Sequence, residues 1–444
     1  MELVLATNFD DGLIEKVRDL PVSTFFGGFP VSLTGAGRPP YILPPVSPEK
    51  LARHVEVIHR GGRKFFATLN SNDLGLHEYE SGFLGKFREE VQQMVDLGVD
   101  GFVVALPLLV EIIRRDHPNV TVSISTFARL RTVNQAEYFR KMGAEHVILE
   151  EGNRDFRLVR GLARAKIPVE VLVNQTCIRD CPFRGHHLNT SSLCSQPGGG
   201  KLWFEHPILQ CGLEVVKDPS KLISSIWIRP EDLSIYEEAG VHRFKISGRN
   251  RSTAWLAKVA RIYTERKYEG NLLDILSFVQ VKGPSAAIDR LGREGPHLGV
   301  LPNFEKAFQA LDNVSIDNKA FPAGFMRRIA EMDCEHISCS TCGYCASVAE
   351  RVVRIKGEPP SRYHPPQDLP PSYVLLPGFG QAVAETAEAT GAESIPPTHP
   401  RAPHPIPVPS PARGADEAPG SSPLGHSSFR SGDGSSSDDG AGAV

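Results

Sequence analysis

The chain has 444 residues, 41% hydrophobic and 23% charged, which is enough apolar material for a large buried core. A net charge of -3 and a pI near 6.6 give no global basic field, so affinity resting mainly on duplex phosphate is excluded. The first residues lack the cationic and long apolar regions of a secretory signal, and the apolar run 101–110 is broken by Pro107 and followed by Glu111; no membrane span and a soluble cytoplasmic protein are expected.

In chain order, β-rich runs alternate with amphipathic segments. Residues 2–6 predict a strand, 12–20 a helix and 22–26 a second strand, followed by a Gly- and Pro-rich loop. Ser47, with Pro48 in the first turn, opens a helix that stops at Gly61-Gly62, because a serine oxygen caps free amides and proline fits where no donor is needed. Strands follow at 64–69, 101–105, 120–125, 145–149 and 168–173. Between them lie helices through Phe87 and Val91, over 108–115 and 133–142, and through Val159 and Leu162. Runs 226–228 and 242–246 complete about eight strands. After Gly248, Trp255, Leu256, Val259, Ile262 and Tyr263 form the stripe of a core-packing helix with a basic outer face. Near-continuous apolar strands joined by helices predict an α/β fold with a (β/α) barrel-like N-terminal domain over 1–270. A small Cys-rich C-terminal domain is expected over 271–358, opening with a helix at 272–281 and a loop at 292–302. The Pro-, Gly- and Ser-rich composition of 359–444 predicts a disordered tail.

Eight cysteines in a reducing compartment point to metal rather than disulfides. Cys177, Cys181, Cys194 and Cys211 follow the strand at 168–173, at the end of a rigid element where a metal can collect thiolates. Arg179, Asp180, Arg184, His186 and His187 interleave with them, poor company for buried structural thiols. Four soft ligands suit a cubane iron–sulfur cluster or a tetrahedral zinc, and the spacing leaves both open. Cys334, Cys339, Cys342 and Cys345 form a tighter second set. Three cysteines separated by two residues each match a cluster-binding loop, with zinc as the alternative. If both sets hold clusters, the second is placed to pass electrons to the first.

The strand end Thr68-Leu69-Asn70, Ser125-Thr126 with Asn134 downstream, Glu170 ahead of the cysteine loop, Cys194-Ser195-Gln196-Pro197, and the block from Asp232-Leu233 to Lys245-Ile246-Ser247-Gly248-Arg249 resemble the U-thirty-two peptidase family of collagenase-like proteins. The resemblance covers roughly residues 1–270. It departs where Asn174-Gln175 stand in place of His-Gly and Ser247 in place of Glu. The resemblance implies either a protease or an iron–sulfur protein of oxygen-independent hydroxylation of RNA or ubiquinone precursors, some members being tied to prephenate as hydroxyl source. It tips the first set toward iron–sulfur, so one or two 4Fe-4S clusters per chain are expected. The implied substrate is an RNA base or a small aromatic molecule, with an electron donor and a hetero-oligomeric relative as partners. A collagenase-like peptidase and a noncatalytic zinc-binding partner protein remain the alternatives.

In a (β/α) barrel the chemistry gathers at the C-terminal strand ends. Glu150, His186 and Lys245 are the catalytic candidates, as acid–base or charge-stabilising groups. Asn70, Ser125, Asn134, Asn174, Arg184, His187 and Arg249 are the substrate-binding candidates, the arginines because a guanidinium grips carboxylate or phosphate through two bonds.

Overall fold

The computed structural model describes residues 1–29, 32–38, 43–44, 46–197, 211–212, 214–277 and 313–356. The predicted loop 292–302, the tail 359–444 and the end of the predicted helix 272–281 lie outside the described residues; that helix's start is a single 3-10 turn, Leu272–Asp274.

Eight strands, β1 (Glu2–Ala6), β2 (Val22–Gly27), β3 (Lys64–Leu69), β4 (Gly101–Val104), β5 (Thr121–Ile124), β6 (His146–Leu149), β7 (Val169–Leu172) and β8 (Arg243–Ile246), form a closed parallel barrel in sequence order. β8 closes it by pairing Leu3 with Phe244 and Leu5 with Ile246. The strands are short and buried on both faces, as a parallel sheet wrapped in helices requires.

The wrapping helices are α1 (Asp11–Lys16), α2 (Pro48–Arg60), α3 (Phe83–Asp96), α4 (Pro107–Asp116), α5 (Val133–Lys141) and α6 (Phe156–Arg164). Their starts follow the capping chemistry of the sequence. Ser47 accepts from the Lys50 amide, Thr132 and Gln135 form a capping box, and Asp155 accepts from the amides of Arg157 and Leu158. Beyond β7 come α7 (Arg184–Cys194), α8 (Ser220–Ser224), α9 (Leu233–Glu238) and α10 (Thr253–Glu265). Arg261 of α10 is paired with Asp19 at 3.1 Å and Arg266, just past its end, with Glu237 at 2.8 Å, while Leu256, Val259, Ile262 and Tyr263 are buried, which agrees with a core-packing helix.

The predicted strand at 226–228 is not one. β7 pairs directly with β8, Val171 opposite Phe244, so no strand edge is left for it. Ile226, Trp227 and Ile228 are fully buried all the same, and side chains serve their backbone. Asn153 donates to the Ile226 carbonyl, Arg154 to that of Trp227 and Tyr263 to that of Ile228, while the Ile228 amide bonds the Val173 carbonyl at 2.8 Å. An apolar triplet with this much buried backbone reads as a strand in sequence; here polar side chains replace the sheet partner.

Trp227 also seats the C-terminal segment. That segment comprises α11 (Phe325–Glu331), α12 (Cys339–Cys342), α13 (Tyr344–Val352) and an antiparallel pair, β9 (Val314–Ile316) with β10 (Val353–Ile355). α13 gives way directly to β10 at Val353. Phe325 stacks on Trp227 at 6.3 Å, and the Arg154 guanidinium, itself 3% exposed, lies 4.8 Å from the Trp227 ring.

The barrel interior is charged on one side. Alternation along a strand puts Glu170 of β7 and both Arg243 and Lys245 of β8 on the inward face. Lys245 Nζ lies 2.9 Å from Glu170 Oε1 and 3.7 Å from the Phe26 ring centre, while Arg243 reaches Glu170 at 3.5 Å and Glu2 at 2.6 Å. Burial pushes the Glu170 carboxyl up, but Lys245 and Arg243 outweigh it and hold the carboxylate below its ordinary range.

Candidate active site

At the C-terminal ends of the strands, above Lys245, a cavity opens. Of the predicted residues, Asn70, Ser125, Glu150, Arg184, His187, Lys245 and Arg249 line it. Asn174, His186 and Asn134 do not. Asn174 lies just beneath, its side chain accepting from the Ser247 amide at 2.8 Å and donating to the Ser247 carbonyl, so it shapes the cavity wall. His186 and Asn134 are exposed, the latter on the outer face of α5.

Sequence reasoning missed Arg38, which faces the same cavity. Its loop is held in place by two anchors. Both oxygens of Glu90 on α3 accept from the Leu33 amide, at 3.0 and 3.2 Å, and Ser195 Oγ accepts from the Gly37 amide at 3.0 Å. Gly35, at φ +74°, lies so close to Ser195 that a Cβ would meet the Ser195 carbonyl oxygen at 2.9 Å. Gln196 donates to the carbonyls of Asp73 and Ser192, at 2.6 and 3.2 Å. The Cys194-Ser195-Gln196-Pro197 segment therefore stitches two strand-end loops to α7.

Burial raises the Glu90 carboxyl to about 6 against the Leu33 bond. Its pKa in the folded chain exceeds that of the unfolded chain, so between the two values the folded state holds the extra proton. This contribution to stability is greatest below the unfolded value and fades as pH rises through about 6. Urea midpoints measured from pH 4.5 to 7 should fall more steeply in the wild type than in Glu90→Gln; parallel curves would remove Glu90 as the source.

Four cations converge on the cavity, and two are matched by carboxylates. Lys245 has Glu170. Arg184 donates to Glu150 and lies 3.5 Å from Glu151. Among the described residues neither Arg38 nor Arg249 forms an ion pair; Arg249 donates only to Thr68 Oγ1 at 3.0 Å and the Ala36 carbonyl at 2.7 Å. Burial, and then the like charge of Arg38, pull Arg249 down to about 9. His187 is pushed down to about 3, by burial first and then by Arg184 and Arg38, so it stands neutral at pH 7. Asn70 Oδ1 is buried with no partner among the described residues. Two facing guanidiniums, an orphaned acceptor and the rings of Phe26 and Phe127 fit an organic anion with a hydrogen-bond donor.

Cys177 of the first thiol set adjoins this cavity through Arg184. Arg184 Nη1 donates to Cys177 Sγ at 3.0 Å, so one guanidinium touches both the thiol and the cavity carboxylate Glu150. Burial, then the charges of Cys211 and, further down, Cys181, push the Cys177 thiol up to about 12. Cys194 is wholly buried at the end of α7, and burial raises it to about 12. The structure thus brings Cys177, Cys181 and Cys211 within electrostatic reach of one another.

In the second set, burial raises Cys345 to about 11, Arg154 opposing and Cys339, Cys334 and Cys342 adding to it, so these four thiols share one neighbourhood. Among the described residues no three His, Cys, Asp or Glu side chains stand close enough to hold a single metal ion. A zinc with Zn–S bonds of about 2.3 Å draws its sulfurs tightly together. A cubane's own irons and sulfides separate its thiolates more widely, and guanidiniums beside the sulfurs complement an anionic cluster; the donor chemistry of both sets fits that group.

A closed (β/α) barrel with a cationic, thiol-bordered cavity at its C-terminal mouth is the class this fold and site define. The sequence profile of peptidase family U32 matches residues 45–178. An uncharacterized protease of Methanocaldococcus jannaschii is 25% identical over 332 residues, covering 74% of this chain and 88% of the relative. The tRNA hydroxylation protein P1 of Bacillus subtilis is 23% identical over 235 residues, 48% of this chain and 52% of that protein. The solved U32 peptidase Mk0906 aligns with 56% of this chain and 93% of its own, at 18% identity and a TM-score of 0.42. The chain is thus similar to peptidase family U32 over residues 45–178 and to one of its protease relatives over most of its length. Among the described residues, no helix is long and apolar enough to cross a membrane.

Proposed function

We propose that this protein is an iron–sulfur-dependent enzyme of oxygen-independent hydroxylation, acting on an RNA base or a small aromatic substrate. The observation that carries the reading is Arg184, which joins Cys177 to the wall of a cavity suited to an organic anion. Similarity to a tRNA hydroxylation protein supports the reaction class. A cluster on the cysteines would supply one-electron redox chemistry beside the cavity.

The chain's own residues then have defined tasks. Arg38 and Arg249 grip the carboxylate of a small hydroxyl source, and Asn70 Oδ1 accepts its hydroxyl proton. The Glu150 carboxylate is the group able to take up or return a proton at the cavity, with neutral His187 beside it as a hydrogen-bonding group. Lys245, locked to Glu170, lends a fixed positive field from below.

Purification without oxygen should give iron and acid-labile sulfide in equal amounts, about four of each per filled set. Cys177→Ser should lose the first set's share and abolish hydroxylation of tRNA or an aromatic acid, read as a one-oxygen mass increase. Zinc without sulfide would overturn the proposal. Cleavage of a collagen peptide by a preparation free of iron would favour the peptidase reading that the archaeal relative's name carries.

A further inference from the structure

The two cysteine sets are far apart in sequence, yet their loops touch. Arg179 and Asp180 sit between Cys177 and Cys181, at the tip of the first loop, with Asp180 in the left-handed region at φ 53°. Arg179 Nη2 donates to Glu335 Oε1 at 3.0 Å, and the same guanidinium hydrogen-bonds the Cys334 thiol. Arg131, at the start of the α5 loop, closes the arrangement by reaching Asp180 at 3.1 Å and Glu335 at 3.3 Å. Arg157 fixes the preceding residue of the second segment, Asp333, at 2.8 Å. Three arginines of the barrel face thus clasp Asp333 and Glu335, the neighbours of Cys334 on either side.

This clasp has no evident task in holding the barrel together. Arg179 is about one-tenth exposed, so its bonds to Glu335 are worth more than those of an open surface pair. The second set lies toward solvent: Cys339 is exposed, and Cys334, Cys342 and Cys345 are partly so. In the first set Cys177, Cys181 and Cys211 are partly exposed as well, but Cys194 is buried and Cys177 bonds Arg184, which lines the cavity. One arginine side chain and two residues of backbone separate them, a span on the order of 15 Å at most.

We propose that the two sets form one electronically coupled pair, the Cys334–Cys345 segment being the outer, donor-facing site and the Cys177–Cys181 loop the inner one, with Arg179 as the positioning residue between them. The proposal rests on the iron–sulfur reading above. Clusters held by the two sets would let one electron from an external one-electron reductant be shared between them, with no bond made or broken.

The test is electron paramagnetic resonance of the full chain, purified without oxygen and reduced with dithionite. The fully reduced wild type should give a signal split or broadened by interaction between two spins. Cys342→Ser, or Cys339→Ser should the first fail to fold, should leave a simple single-cluster signal with half the iron. Arg179→Gln should keep the iron and sulfide of both sets but lower the midpoint potential of the outer one, since a positive charge near the sulfurs favours the reduced state. A wild-type signal equal to the sum of two independent clusters, an unchanged potential in Arg179→Gln, or zinc in the outer set with iron in the inner one would overturn the coupling and leave the hydroxylase reading intact. Absence of iron from both sets would overturn the two together.

Discussion

Lys245→Met is expected to destabilise the protein by about 3–5 kcal/mol, because it strands the Glu170 carboxylate inside the barrel with only the more distant Arg243 to answer it. The lysine side chain is 8% exposed and the glutamate 2%, so water cannot take over the lost interaction. The double variant Glu170→Leu with Lys245→Met should recover much of that loss, since Arg243 keeps Glu2 at 2.6 Å and no carboxylate is left uncompensated. Urea unfolding of the two single variants and the double variant closes the cycle. Additive losses would show that the pair is not the unit described.

Arg38→Met should move stability the opposite way. The wild-type guanidinium faces Arg249 across the cavity, with no carboxylate among the described residues to offset either, so its removal relieves repulsion and burial cost. A gain of about 1 kcal/mol is expected, together with a loss of anion binding. Benzoate, a carboxylate on a flat ring, should raise the thermal midpoint of the wild type and do so at least about 30-fold less effectively in Arg38→Met, the equivalent of about 2 kcal/mol of charge-assisted contact. A less stable variant that binds benzoate as well as the wild type would sink the assignment of Arg38 to the site. The contrast with Lys245 separates a cation kept for the fold from one kept for a ligand.

The barrel was legible because its strands are buried on both faces and so appear as unbroken apolar runs, several of them carrying or preceding a polar residue that faces the cavity. Asn70, Ser125, Glu150 and Lys245 were found that way. The same logic misread Ile226–Ile228, since burial alone does not say whether a sheet or side chains such as Asn153 and Arg154 serve the backbone. Arg38 left no signal. It lies in a Gly- and Pro-rich loop with no periodicity, and only the contacts of Glu90 and Ser195, brought in from α3 and α7, place it. Asn134 and His186 were drawn in by position in a motif, and their exposed positions show that proximity in sequence to a strand end or a cysteine does not aim a side chain. The contact between the two cysteine loops depends on residues more than 150 positions apart, Arg179 and Glu335, which no local pattern connects.

The closure of the barrel by β1 and β8 bears on how the chain is made. β1 emerges first from the ribosome and finds β2 soon after, but its other edge has no partner until Arg243–Ile246 has been synthesised. At about 5–20 residues per second, that edge waits on the order of ten to fifty seconds. During that interval a strand reading Leu3-Val4-Leu5-Ala6 offers unpaired amides and carbonyls to any other nascent chain. The newborn protein should therefore depend on chaperone capture in a way that the finished barrel, which has no edge, does not.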